Sequence, residues 1–137
     1  MPTATGYTMT TTSELAFERA VERVRAELEA EGFGIPAEIN VQALLRDKLG
    51  SDREPYLILG ACVPWLADEA LNIEPDLGTL LPCNVAIYQT DGKTHISAID
   101  PERMLSIVDN DKLAPVASRV REKLEAVVER AGADVII

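Results

Sequence analysis

The feature that most constrains this chain is a two-residue break between two β-rich runs: Val85-Ala86-Ile87-Tyr88-Gln89-Thr90, then Asp91-Gly92, then Lys93-Thr94-His95-Ile96-Ser97-Ala98-Ile99. Asp-Gly suits a primed turn, whose backbone twist matches that of the flanking strands, so the segment predicts a tight β-hairpin. A two-residue loop also sets the register. Thr90 is expected opposite Lys93, Tyr88 opposite His95, Ile87 opposite Ile96, Val85 opposite Ala98, and Cys83 opposite Asp100. Alternation then places Val85, Ile87, Ile96 and Ala98 on a buried face, with Cys83 on the same face at the open end. Tyr88 and His95 meet on the opposite face. His95 is the only histidine, and its expected neighbours are Tyr88, Lys93 and Ser97. With no carboxylate, thiol or second imidazole beside it, it reads as a cross-strand polar residue rather than a catalytic base.

Elsewhere the apolar period alternates between strand and helix. Tyr7 to Thr12 is rich in β-formers and predicts a first strand. Phe17, Ala20, Val21, Val24 and Leu28 follow at helical spacing, with Thr12 or Ser13 as the expected cap and Gly32 as the stop. Phe33 to Ile39 reads as a strand that Pro36 marks as an edge or bulge. Asn40 is placed to cap a short helix ending at Gly50, with Val41, Leu44, Leu45 and Leu49 expected inward. Tyr56-Leu57-Ile58-Leu59-Gly60-Ala61 is a continuous apolar run, which predicts a strand in mid-sheet buried on both faces.

Pro64 suits the first position of a further helix carrying Trp65, Leu66, Ala70 and Leu71. Asp100-Pro101-Glu102 is a strong helix start, with cap, proline and early acid in order. A last helix shows Leu113, Val116, Val120, Leu124, Val127 and Ala131 along one stripe, ended by Gly132. The apolar tail Val135-Ile136-Ile137 would be costly to leave in water, so it is expected either to add a strand or to pack on a partner chain.

Composition narrows the classes of partner. At 137 residues and 47% hydrophobic content the chain fits one domain, residues 1–137, able to bury about two-thirds of its unfolded surface. Its 23 acidic and 13 basic residues give a formal charge of -10, which repels phosphate backbones and anionic membranes. No nucleic-acid or membrane partner is expected. Residues 1–12 lack the basic start and apolar core of a signal peptide, and no run reaches the ~18 apolar residues of a membrane span, so a cytoplasmic location is expected. Two cysteines, Cys62 and Cys83, are too few for a disulfide scaffold and would stay reduced there. Without nearby histidines they also fall short of a zinc site, so neither metal nor cofactor is expected.

Six consecutive motifs make the chain resemble a known family. They are Phe17-Glu18-Arg19-Ala20-Val21-Glu22, Gly32-Phe33-Gly34, Glu38-Ile39-Asn40-Val41-Gln42, Leu57-Ile58-Leu59-Gly60-Ala61-Cys62, Leu80-Leu81-Pro82-Cys83-Asn84-Val85 and Ser97-Ala98-Ile99-Asp100-Pro101. Together they are similar to the domain of unknown function 302 family of small bacterial and archaeal proteins, over roughly Tyr7 to Val128. Asn40 and Val63 depart from the pattern, where aspartate and asparagine are usual. The resemblance implies an α+β fold with a curved, mainly antiparallel sheet backed by helices, a long C-terminal helix, and a homodimer. It supplies no activity.

The residues themselves single out one corner. If the strands ending at Cys62 and beginning at Cys83 are antiparallel, both thiols lie at one end of the sheet within about 10 Å, roughly two strand spacings. Asp100 would stand beside Cys83, and helices starting at Pro64 and Pro101 would aim their N-termini there, favouring an anion or a lowered thiol pKa. Trp65 and Asn84 are further candidates to line the pocket, with Glu38, Gln42 and Lys48 as outlying neighbours. Plain core packing is the favoured account of the two cysteines, since free cysteine is among the most buried residue types, with capping alone for Asp100 and core or dimer packing for Trp65. Three readings follow: a small-ligand-binding or sensing module for an anionic or apolar ligand, a structural or interaction homodimer without chemistry, and a thiol-dependent redox protein. The residue pattern leans away from an enzyme.

Overall fold

The hairpin forms in the expected register and lies at the centre of a six-stranded antiparallel sheet. Asp91 and Gly92 both take positive φ, 52° and 77°, as the primed turn requires. A carboxylate from outside the hairpin secures the turn: Glu54 Oε2 accepts from the Asp91 amide at 2.9 Å and Oε1 from the Gly92 amide at 3.3 Å. The computed structural model describes residues 2–133. The Val135–Ile137 tail lies outside the described residues.

In chain order the elements are β1 (Thr3–Ala4), β2 (Thr8–Ser13), α1 (Phe17–Ala30), β3 (Gly34–Asn40), α2 (Val41–Leu49), β4 (Tyr56–Cys62), α3 (Pro64–Ile73), β5 (Cys83–Thr90), β6 (Lys93–Ile99), α4 (Pro101–Leu105) and α5 (Ala114–Ala131). Short 3-10 turns at Pro75–Thr79, Ser106–Val108 and Asp111–Leu113 join the later elements. The strand order is β1-β2-β6-β5-β4-β3. This is the α+β architecture that the family resemblance implies, with a final helix of 18 residues, about 27 Å long at 1.5 Å per residue.

The apolar stripes of α1 and α5 pack on one face of the sheet. Val24, Leu28, Leu124 and Val127 have no exposed surface, and neither do Leu59, Val85, Ile87, Ile96 and Ala98 on the strands facing them. Gly132 closes α5 for a different reason from the one its sequence position suggests. Its φ is an ordinary -90°, but a Cβ there would come within 2.6 Å of Thr11 Cγ2 on β2. The glycine is needed for close approach of helix to strand.

Several expectations are corrected. Neither Thr12 nor Ser13 caps α1: Ala16 holds that position with no side-chain cap, while Ser13 ends β2 and its Oγ accepts from the Leu15 amide at 3.1 Å. β4 is not in mid-sheet. It lies next to edge strand β3, and its Tyr56, Leu57 and Ile58 are only half-buried. Asn40 does cap α2, its Oδ1 accepting from the Ala43 amide at 2.9 Å, yet no residue of α2 is buried and Leu44 and Leu49 are exposed. Pro36 falls within the register shift of β3, as an edge proline should.

Candidate functional site

Cys62 and Cys83 are at the same end of the sheet. Cys83 pairs across the strands with Ala61, the residue before Cys62, which puts the two α-carbons about 6 Å apart from strand spacing and rise. Both line one apolar pit where the chain leaves β4 and enters β5. Its walls come from distant segments: Phe33 after α1, Leu66 and Ala70 on α3, Leu77 in the following turn, Met104 and Leu105 on α4, Val116 and Val120 on α5. The space within it is about 30 Å³, room for a water or two while α3 stays in place. α3 covers it while resting on α5 and on the turn after it.

The pit does not activate its thiols. Burial pushes the Cys83 thiol up to about 12, with the neighbouring Cys62 adding to the shift. Cys62, which is half-buried, is also raised, by desolvation. A nucleophilic cysteine needs the opposite, a depressed pKa next to cations or free amides. Most amides at the two helix starts are already occupied. At the start of α4, Asp100 Oδ1 accepts from Glu102 N at 2.9 Å and Arg103 N at 3.4 Å, and its Oδ2 accepts from Arg121 Nε at 3.2 Å. That hydrogen bond holds the Arg121 guanidinium more firmly in its charged form. At the start of α3, Pro64 has no N–H, and the amides of Leu66 and Ala67 both reach Val63 O.

The remaining sequence candidates do not join the pit. Asp100 is a cap and an ion-pair partner, with both oxygens used. Trp65 is 53% exposed on α3, with Arg119 Cζ 4.5 Å from its ring centroid, a surface cation–π contact. Asn84 follows Cys83 in β5 and so projects from the opposite face, where it is exposed. Glu38 pairs with Arg25, Gln42 donates to Arg53 O at 3.0 Å, and Lys48 is exposed on α2. Sequence reasoning missed Phe33, Met104 and Val116 because nothing local marks residues that converge only through folding.

Asn84 belongs to a second region, the helix-free face of the sheet, which lies opposite α1 and α5 and which no helix covers among the described residues. Tyr56, Tyr88 and His95 stand side by side across β4, β5 and β6, stacked at 5.2 Å and 4.9 Å with interplanar angles of 13° and 11°. The next row across the strands is Ile39, Ile58, Ala86, Ser97, Thr10 and Thr3. Beyond it lie Ala37, Gly60 and Asn84 on one half and Ile99 and Thr8 on the other. None of these positions is Asp, Glu, Lys or Arg; the nearest charges are Lys93 at the hairpin tip and Asp52, Arg53 and Glu54, which border the Tyr56–Tyr88 end of the face. A shallow trough of about 350 Å³ runs along the Tyr56–Tyr88 rings, bounded also by Tyr7, Asn84 and Ile99. The signal was present in the sequence, since the alternate positions 84, 86, 88 and 95, 97, 99 carry no charge.

Among the described residues no group of three or more His, Cys, Asp or Glu converges to hold a metal ion, and no helix is long and apolar enough to cross a membrane. None of the curated proteins matches this chain. The crystal structure of an uncharacterized conserved DUF302 protein from Bacillus stearothermophilus is similar, with a TM-score of 0.84 and 29% identity over 90% of this chain and 97% of that one. The model of the family described as domain of unknown function DUF302 matches residues 9–131, almost the whole folded region from β2 to the end of α5, and the chain therefore belongs to the DUF302 family.

Proposed function

We propose that the chain is a homodimeric module that binds a small, uncharged, apolar molecule in the pit beside Cys62 and Cys83. The observation that carries this reading is the chemistry of the lining. Carbon-rich side chains from α3, α4, α5 and the strand ends converge there, and their only polar partners are two thiols that burial keeps protonated. An anion would find little, because Asp100 occupies the start of α4 and the Leu66 and Ala67 amides of α3 are turned onto Val63 O. An apolar guest replaces weakly held water and gains contact with the walls. Entry requires α3 to move outward, which is consistent with a cover whose main contacts are with α5 and the neighbouring turns.

Thermal unfolding in the presence of benzene, indole and short alkyl alcohols tests the pit. A bound guest at 100 times its Kd stabilises the fold by about 2.7 kcal/mol, and Cys62→Phe, which fills the space, should remove that rise. No shift with any of these probes up to their solubility limits would refute the reading. The redox alternative makes the opposite demand on the thiols. Iodoacetamide should alkylate both far more slowly than a free cysteine at pH 7, and rapid labelling of either would favour thiol chemistry.

A further inference from the structure

We infer that the helix-free face of the sheet is the surface on which a second copy of this chain docks, sheet against sheet, with the Tyr56–Tyr88–His95 ridge of each copy seated in the other's neighbouring furrow. The inference rests on the homodimer reading above and assigns its interface.

Charge, shape and area each point to a second copy. In a chain with a formal charge of -10, two copies repel wherever their acidic surfaces meet, so the contact must lie where charge is missing. The three strand rows are such a place, and charge depletion with tyrosine enrichment is the compositional mark of an interface core.

Shape makes the face complementary to itself. The three stacked rings form a ridge, and the adjacent row has small side chains, Ala86 and Ser97, at its middle. Ridge and furrow are two residues apart along the strands, about 6.7 Å. A two-fold axis lying in the interface, parallel to the rows and midway between ridge and furrow, puts each ridge in the partner's furrow, so that every contact occurs twice, as an isologous interface requires. The fourteen strand positions of these rows, each about 4.8 by 6.7 Å, cover roughly 450 Å² per copy, so two copies bury about 900 Å² together, close to the ~1,000 Å² total of a specific interface.

Light scattering of the full chain between about 1 and 50 micromolar, which brackets Kd values at and above the ~1 micromolar level of association, tests this. The wild type should be a dimer. Ser97→Glu and Ala86→Glu, which set like charges against each other near the axis, should weaken dimerisation by about 100-fold or more with an unchanged circular dichroism spectrum. Ile107→Glu, at an exposed position outside the sheet, should remain dimeric. A monomeric wild type overturns both the homodimer reading and this interface. A dimer that survives both furrow variants overturns the interface and leaves the homodimer standing. If the glutamate variants fail to fold, Ser97→Cys replaces them: treatment with a short bismaleimide should yield a covalent dimer absent from the wild type and from Ile107→Cys, and its absence overturns the interface.

Discussion

The two faces of the sheet are built from alternate residues of the same strands, yet they differ in kind. Toward the helices, Leu59, Val85, Ile87, Ile96 and Ala98 are wholly buried aliphatic residues. On the other side, Tyr56, Ile58, Ala86, Tyr88, His95 and Ser97 are half-exposed, aromatic or small, and uncharged. The first face meets the demand of a close-packed interior, in which every methylene must find neighbours. The second matches neither an interior nor an ordinary solvated surface. In an antiparallel sheet with one wet face, polar and charged residues should alternate with apolar ones, and here the charges are missing. The contrast separates what the domain needs in order to fold from what it keeps for something outside itself.

The most forceful way to break that contrast is a pair of truncations in adjacent strands. Ile87→Ala should cost about 2–5 kcal/mol in urea unfolding, because it leaves a cavity at a fully buried site. Ile58→Ala on the other face should cost less than half of that, and equal losses would mean that the outer face is as much a core as the inner one.

A second, smaller effect comes from pH. Because the folded-state pKa of Cys83 is raised from 9.0 to about 12, the unfolded chain loses this proton first as pH rises. Stability from this group is therefore fully present below about pH 9 and falls between 9 and 12, with a slope approaching ~1.4 kcal/mol per pH unit. Denaturant melts of wild type and Cys83→Ala from pH 8 to 11 would show whether that slope disappears with the thiol. A slope retained in Cys83→Ala would place the thiol outside the apolar environment described above.

Smallest of the three is the loss of the aromatic ridge. Tyr88→Leu keeps apolar volume but removes both ring stacks, and should cost about 1 kcal/mol in stability at protein concentrations low enough to keep the chain monomeric. A loss several times larger would make the ridge a folding element rather than a recognition surface.

Much of this was legible in the residues. The Asp91-Gly92 turn carries the hairpin register because a two-residue loop leaves no freedom in pairing, and strand alternation then follows. Asp100 was readable as a cap from Pro101 and Glu102 alone. Its partner Arg121 was not, since it lies 21 residues away on another helix and no local rule links them. The β4 run misled because an uncharged outer face and a buried one look alike in sequence. The α2 stripe misled in another way: spacing tells which side of a helix is apolar, and nothing about what covers it. Asn84 was within reach, for a residue next to Cys83 in a strand has to point the other way.

By itself, then, the sequence determined the local geometry of this protein: the hairpin register, the helix caps at Asn40 and Asp100, the apolar stripes of α1 and α5, and the meeting of Cys62 and Cys83 at one end of the sheet. These depend on turn chemistry, capping and periodicity, which act over a few residues. Only the tertiary structure decided that the cysteine corner is an apolar pit with its thiols protonated, that Trp65 and Asp100 have other partners, and that, among the described residues, one whole face of the sheet has no helix over it. Burial, desolvation and the pairing of distant charges depend on which segments meet in space, and that is settled only when the whole chain has packed.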